Sequence, residues 1–415
     1  MKTLSGRSIA ALAVAALAVS ALAGDTKLAS VNSAGDPTFT GDAYMISTSR
    51  NGRFVVFTTT ASDHVPGDTN QVSDVYLYDR KTRKIARASL GSAGAQPDSD
   101  CLSPRVSDDG RYVVFSSAAT NLVPTDGNDR ADVFVRDMKK LTTIRVSQTA
   151  AGGDLDGASF LPAISADGKT IAFASTATNA IAGDGNGQTD VFVRKLSGGP
   201  IERVSVGEGG VEGEGYSSRP ALSKDGRYVV FDTNSTAFGA LDSSNPGVVL
   251  RDRKRATTKF ISLGSIPSVS DNGAIVAFQS QEALIPGDTN GANDVYVAQV
   301  KTLALTRISV GDDGAEGESH SQNSTISGNG RYVAFDSENG ILAADTNRRT
   351  DVYVHDLKTH RAELVSVTPS GVASTGGSYY PWISANGKTV AFIANADDIF
   401  SAVENQHADA YVRQR

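Results

Sequence analysis

Short apolar runs, most about six residues long, recur from residue 26 to the end of the chain and are broken by Gly, Asp, Asn or Pro. Arg111-Tyr112-Val113-Val114-Phe115 and Asp132-Val133-Phe134-Val135 are typical, with β-branched and aromatic residues in period two, as strands require. Amphipathic helical periodicity is absent after residue 23. The runs form a repeat: Ser-x-Asp/Asn-Gly, followed five residues later by Phe, occurs seven times. Its glycines are Gly52, Gly110, Gly168, Gly226, Gly273, Gly330 and Gly387, and its phenylalanines Phe57, Phe115, Phe173, Phe231, Phe278, Phe335 and Phe392. The period is about 58 residues, with one shorter step between Gly226 and Gly273.

Each unit reads as four strands. The first ends at an apolar-Ser pair such as Ile164-Ser165 or Val269-Ser270. A hairpin follows, because Gly accepts positive φ and Asp or Asn tolerates it. A longer connection leads to the third strand, and a short polar turn to the fourth, Thr143-Ile144-Arg145-Val146-Ser147 in the second unit. The chain finishes on a third strand, Asp409-Ala410-Tyr411-Val412-Arg413, and begins after the leader with what reads as a fourth, Thr26 to Val31. Joining the two closes a ring and removes the exposed edges of an open array. The predicted fold is all-β: a seven-bladed β-propeller of four-stranded antiparallel blades over residues 24–415. The N-terminal strand completes the last blade, and the repeated Phe packs between blades.

Pro162-Ala163-Ile164-Ser165-Ala166-Asp167-Gly168-Lys169 and Pro381-Trp382-Ile383-Ser384-Ala385-Asn386-Gly387-Lys388 resemble the TolB-type, WD-like propeller repeat over essentially residues 26–415. Two features depart from that family. The aromatic before Ser is replaced by Ile, Val, Leu or Thr, and the separate α/β domain of TolB is absent. The resemblance implies an exported propeller that binds something.

Residues 1–23 read as a signal peptide: Lys2 and Arg7 precede an apolar run too short to span a bilayer, and Ala21-Leu22-Ala23 fits the cleavage pattern. The expected location is therefore periplasmic or extracellular, with no membrane span after cleavage. A net charge of −7 without basic runs argues against nucleic acid as partner. A single cysteine, Cys101, excludes an internal disulfide. Gly-x-Ser-x-Gly, His-Glu-x-x-His and phosphate-binding glycine loops are missing.

Candidate chemistry falls in the long connections, which share one face of the propeller. Glu212, Glu214 and Tyr216 occupy the loop before blade 4, and Glu316, Glu318 and His320 the equivalent loop before blade 6. Paired carboxylates beside His or Tyr suit acid–base work, a cation or a basic partner peptide, and both sets are expected at the mouth of the central channel. Phe160, Tyr379 and Tyr380 are candidates for stacking on a sugar or anchoring a partner. Trp382 takes an inner-strand position held elsewhere by small residues such as Ala163 and Ala221, which places it in the core or the channel lining. The Ser262–Pro267 connection is shortened, predicting a notch in the rim.

An Asp-x-Asn-x-x-x-Asp motif precedes five third strands, as Asp68/Asn70/Asp74, Asp126/Asn128/Asp132, Asp184/Asn186/Asp190, Asp288/Asn290/Asp294 and Asp345/Asn347/Asp351. Leu241 and Val403 replace its first residue in blades 4 and 7. Two readings stand: oxygen ligands for calcium, or Asx-turns that start the strand. The leading functional expectation is a monomeric, non-catalytic binding or protein-interaction module acting through the long-loop face on an envelope or extracellular protein or a polysaccharide. The alternatives are a lyase or glycoside hydrolase acting on extracellular polysaccharide, and a calcium-stabilised structural envelope protein.

Overall fold

The computed structural model describes residues 25–239, 245–338, 340–400 and 405–415. The leader, Leu241 and Val403 lie outside the described residues. Seven four-stranded antiparallel sheets surround one axis, and helix is confined, among the described residues, to the 3-10 turns Glu208–Gly210 and Thr236–Phe238. Blade 1 comprises Ala43–Thr48, Phe54–Thr59, Asp74–Asp79 and Lys84–Arg87, from channel to rim. The inner strands of blades 2 to 7 are Cys101–Val106, Ser159–Ile164, Ser217–Leu222, Ser265–Val269, Ser321–Ile326 and Ser378–Ile383.

Thr26–Leu28 supplies the outer strand of blade 7, pairing Thr26 with Arg413 and Leu28 with Tyr411. Ser30 fastens this latch: its Oγ donates to Asp409 at 2.7 Å and accepts the Ala410 N–H at 3.0 Å. The expected ring closure is therefore present.

The repeated turn has one chemistry in every blade. In blade 2, Ser107 Oγ donates to Asp109 Oδ1 (2.7 Å) and accepts the Tyr112 N–H (3.0 Å), while Asp109 Oδ1 accepts the Arg111 N–H. The same Ser-to-Asp/Asn bond recurs in the other six blades. Gly110 is required twice over. It has φ 71°, and a Cβ there would lie 2.5 Å from the Phe54 ring of the preceding blade.

All seven repeat phenylalanines are fully buried. Phe115 stacks on Phe134 of its own blade at 5.9 Å, and it belongs to one apolar cluster with Phe54, Val56 and Val75 of blade 1. Each such ring contributes about 1.5–3 kcal/mol of burial, so inter-blade packing carries the fold, as the sequence predicted. Between blades 4 and 5 the outer strand Thr257–Leu263 passes directly into the next inner strand at Gly264, where φ is 143° and a Cβ would meet the Gln279 carbonyl at 2.6 Å. The long loop found elsewhere is absent at this junction.

Candidate functional site: the central channel

The inner strands enclose a cavity of about 520 Å³. Its wall has three tiers, set by the period of two along each strand. The outermost tier sits on a β-bulge. Ser103, Leu161, Arg219, Ile266, Asn323 and Tyr380 each have φ between 49° and 54°, and Met45 takes the corresponding place in blade 1. Pro follows five of them, at Pro104, Pro162, Pro220, Pro267 and Pro381. A bulge leaves ladder positions unpaired, and proline has no N–H to be left without a partner there. The bulge N–H itself is capped from the preceding blade: Ile266 by Asp232 Oδ2 (3.1 Å), Asn323 by Gln279 Oε1 (3.0 Å) and Tyr380 by Asp336 Oδ2 (2.9 Å).

Asp232 and Asp336 thus stand buried behind the channel wall at equivalent positions of blades 4 and 6. Asp232 also receives Arg219 (3.2 Å), and Asp336 the Asn323 side-chain amide (2.9 Å). Burial raises both carboxyls, Asp336 to about 7, against the lowering effect of these donors.

The middle tier is Ser47, Arg105, Ala163, Ala221, Ser268, Thr325 and Trp382. The Arg105 guanidinium lies 4.2 Å from the centroid of the Trp382 ring. Trp382 is thereby assigned to the channel lining. Burial pulls Arg105 down to about 10, so it stays charged at neutral pH.

The innermost tier follows the repeat serines. Backbone bonds stitch its turns from blade to blade, among them Asp108 N–H to Ala166 O (2.9 Å), Ala166 N–H to Lys224 O (3.0 Å) and Ala385 N–H to Arg50 O (2.6 Å). Arg50 of blade 1 pairs with Asp271 of blade 5 across the axis. That pair lies at the tight-turn end, where a smaller recess of about 170 Å³ is lined by Arg50, Asn51, Asp108, Lys224 and Asp271.

The acidic residues expected at the mouth are used elsewhere. Each long connection folds back as a small hairpin, bridged at Val206–Glu212 and Val310–Glu316. Glu212 consequently meets Arg203 of the outer strand, and Glu316 meets Arg307 at 2.7 Å. Glu214 caps the next loop, accepting Thr236 N–H and Oγ1 (both 2.6 Å) and Ser235 Oγ, and these bonds lower it to about 2. Glu316 is lowered to about 2 by Thr289 in the same way. Glu318 is exposed and lies outside the cavity lining. His320 Nδ1 accepts the Asn293 N–H (2.9 Å), an anchoring contact to the third strand, and the Tyr216 N–H is bonded to Asn234. Phe160 and Tyr379 are half-buried outside the lining, whereas Tyr380 is exposed and lines it. One of these nine candidates therefore reaches the channel.

The Asp-x-Asn-x-x-x-Asp loops form a second constellation, toward the rim. The last Asp accepts a serine of the outer strand, as Ser147 onto Asp132, and the Asn amide bonds that Asp and a carbonyl of the following loop, as Asn128 to Leu155 O (3.1 Å). Asn128 Oδ1 accepts the Arg130 N–H, an Asx-turn. Asn186, Asn290 and Asn347 repeat these contacts, while Asn70 bonds Pro97 O.

Carboxylate atoms of Asp184, Asp190 and Glu212 lie within 4.8 Å of one another, as do those of Asp288, Asp294 and Glu316, a spacing that could hold a metal. A guanidinium already occupies each cluster. Arg203 meets Asp184 and Asp190 at 3.4 Å, and Arg307 meets Asp288 (3.3 Å) and Asp294 (3.5 Å). Arg87 bridges Asp68 and Asp74, and Arg145 bridges Asp126 and Asp132. Blade 6 has Leu364 in that place. There Tyr353 bonds Asp345, and burial raises Asp351 to about 7. A guanidinium already supplies positive charge at four of the five loops, and Asn128, Asn186, Asn290 and Asn347 each make the Asx-turn that starts the third strand.

Sequence reasoning missed Arg50, Arg105, Arg219, Asp232 and Asp336. Two signals pointed to some of them: the residue before Pro on five of the seven inner strands, and Asp directly after the repeat Phe at 231–232 and 335–336.

No family model and no curated protein matches the sequence. Among solved structures, the β-propeller domain of the trilobed protease from Pyrococcus furiosus aligns with TM-score 0.57 and 11% identity over 90% of this chain and 95% of that one. An oligogalacturonate lyase from Vibrio parahaemolyticus aligns with TM-score 0.56 and 12% identity over 94% and 96%. TolB from Acinetobacter baumannii reaches TM-score 0.41 at 14% identity over 91% and 79%, too little to weigh in the argument. These likenesses establish the fold, a seven-bladed propeller. The Pyrococcus domain is described as having an open velcro topology, whereas the N-terminal strand closes the ring here.

Proposed function

We propose that this chain is an exported, non-catalytic binding propeller that receives its ligand in the central channel from the long-loop face. One observation carries the reading. The blades repeat their turns, their buried Phe and most of their rim locks, yet the two outer tiers of the channel do not repeat. Met, Ser, Leu, Arg, Ile, Asn and Tyr form one ring, and Ser, Arg, Ala, Ala, Ser, Thr and Trp the other. Residues free of the repeat line the cavity, which is of ordinary ligand-site size. The leader-like residues 1–23 support export, and no described helix is long and apolar enough to cross a membrane.

The test is a pull-down from envelope and culture medium with the mature propeller as bait, alongside Tyr380→Ala. Near-stoichiometric recovery of one protein or glycan that the variant loses is expected. Recovery unaffected by the variant would move binding away from the channel.

A second reading, a polysaccharide lyase or glycoside hydrolase, draws on Asp336, a carboxyl held near neutrality beside Asn323 and Tyr380. It requires that Asp336→Asn abolish turnover of an extracellular polysaccharide while the fold remains. Calcium has no part in the proposal, because Arg87, Arg145, Arg203 and Arg307 already supply positive charge at four of the five candidate loops.

A further inference from the structure

We infer that the channel ligand is an organic anion, a carboxylate borne on a ring, held at Arg105 and Trp382; this deepens the proposed channel-binding function and rests on it. Among the described residues the cavity wall contains three arginines, Arg50, Arg105 and Arg219, and no carboxylate, although the whole chain carries −7. Two of the three are matched in place, Arg50 by Asp271 and Arg219 by Asp232. Arg105 differs. Its partners are the Pro104 carbonyl at 2.8 Å and the face of Trp382.

Arg105 is half-buried on the cavity wall, and an arriving carboxylate would supply the opposite charge that its neighbours there do not. Stacking on indole occupies the guanidinium face and leaves in-plane N–H groups for a forked pair of bonds to an oxyanion. The rest of the wall specifies the body of the ligand. Tyr380, Tyr44, Leu161 and Ile266 surround the same cavity with aromatic and apolar surface, which a bare inorganic ion would leave unused. The sign of the site is the reverse of the acidic mouth expected from the loops, because Glu212 and Glu316 meet rim arginines, Glu214 caps Thr236, and Glu318 lies outside the lining.

The chain has one tryptophan, so its emission reports this tier alone. The experiment titrates the folded protein with glucuronate and benzoate, which carry the same group on a sugar and on an aromatic ring. Glucose and benzamide serve as neutral counterparts, and inorganic phosphate as the ringless anion. The expected result is a saturable change with at least one carboxylate, about 10-fold or more tighter than with its neutral counterpart or phosphate. Arg105→Gln is expected to weaken it about 10- to 100-fold, the worth of charge-assisted hydrogen bonds. Glu318→Gln, outside the lining, should leave it unchanged. Response to glucuronate or to benzoate identifies a sugar acid or an aromatic acid.

Should Arg105→Gln fail to fold, Arg105→Lys, which keeps the charge and loses the fork, must weaken binding as well. Equal binding of neutral and charged rings, or of phosphate, overturns the anion assignment and leaves the channel as the ligand site. A Trp382 signal that no compound moves overturns both.

Discussion

Arg145→Leu tests the reading of the rim loops. The Arg145 side chain is almost wholly buried, at 2% exposure, and meets Asp126 at 2.9 Å, Asp132 at 3.1 Å, Asp154, and the Thr125 carbonyl at 2.8 Å. Removing it leaves Asp126 and Asp132 buried with no cation, a change that costs about 3–5 kcal/mol. In a chain of this length melting as one unit, that lowers Tm by about 4–6 °C. Urea unfolding followed by circular dichroism measures the deficit directly.

The pH dependence has a fixed sign. Burial, then Asp132, already holds Asp126 at about 6, above its unfolded value of 3.8. A carboxyl raised on folding stabilises most below its unfolded value, and that contribution is lost as pH rises through the folded one. Without Arg145 the rise is larger, so the deficit should shrink as pH falls from neutrality toward 4. Blade 6 shows a tolerated alternative, with Leu364 in the arginine's place and Tyr353 bonded to the first Asp. Phe134→Tyr added to Arg145→Leu copies that arrangement and should restore about 1 kcal/mol. A deficit below about 1 kcal/mol, or one that grows on acidification, would refute the reasoning.

Other expectations follow from the same structure. Calcium added to the wild type should leave the thermal midpoint where a chelator leaves it, since the guanidinium groups hold the loops; a rise with calcium would restore the metal reading. Leu28→Ala, in the strand that closes blade 7, should cost about 2–4 kcal/mol by urea titration, because Leu28 is fully packed. Asp336, at about 7 folded against 3.8 unfolded, and Asp409, at about 6, should make the protein more stable near pH 5 than near pH 8. Asp336→Asn should flatten that difference in urea melts. Cys101 is buried and its thiol pushed far up by burial, so a thiol reagent should modify it only after urea unfolding.

The ring architecture was legible because its determinants are local and repeated. A Ser-x-Asp/Asn-Gly turn states its own conformation, and seven buried Phe at one offset state the packing. Ring closure was legible from two incomplete blades at the chain ends. The site was much less so. Whether Glu214 faces the channel or caps Thr236 depends on how a long connection folds back, and that is decided by Arg203, Thr236 and other partners distant in sequence. The channel residues carry no motif because each comes singly from a different blade. Arg105 reads as an ordinary strand residue until Trp382, 277 positions later, is seen beneath it. The Asp-x-Asn-x-x-x-Asp motif left two readings open for a related reason: the cation at four of its five loops comes from the following strand as an arginine.

The latch at blade 7 has a consequence for how the molecule is made. The Ser30–Asp409 bond joins residues 379 apart in sequence. Closing so long a loop in an unstructured chain costs about 5 kcal/mol of entropy on the logarithmic scaling, and such contacts form late. Once blades 1 to 6 have stacked, the two ends are already neighbours and most of that cost has been met. Thr26–Leu28 therefore waits for Asp409–Gln414, its partner strand in blade 7. The channel is therefore enclosed on all sides only once Thr26–Leu28 has paired with Asp409–Gln414.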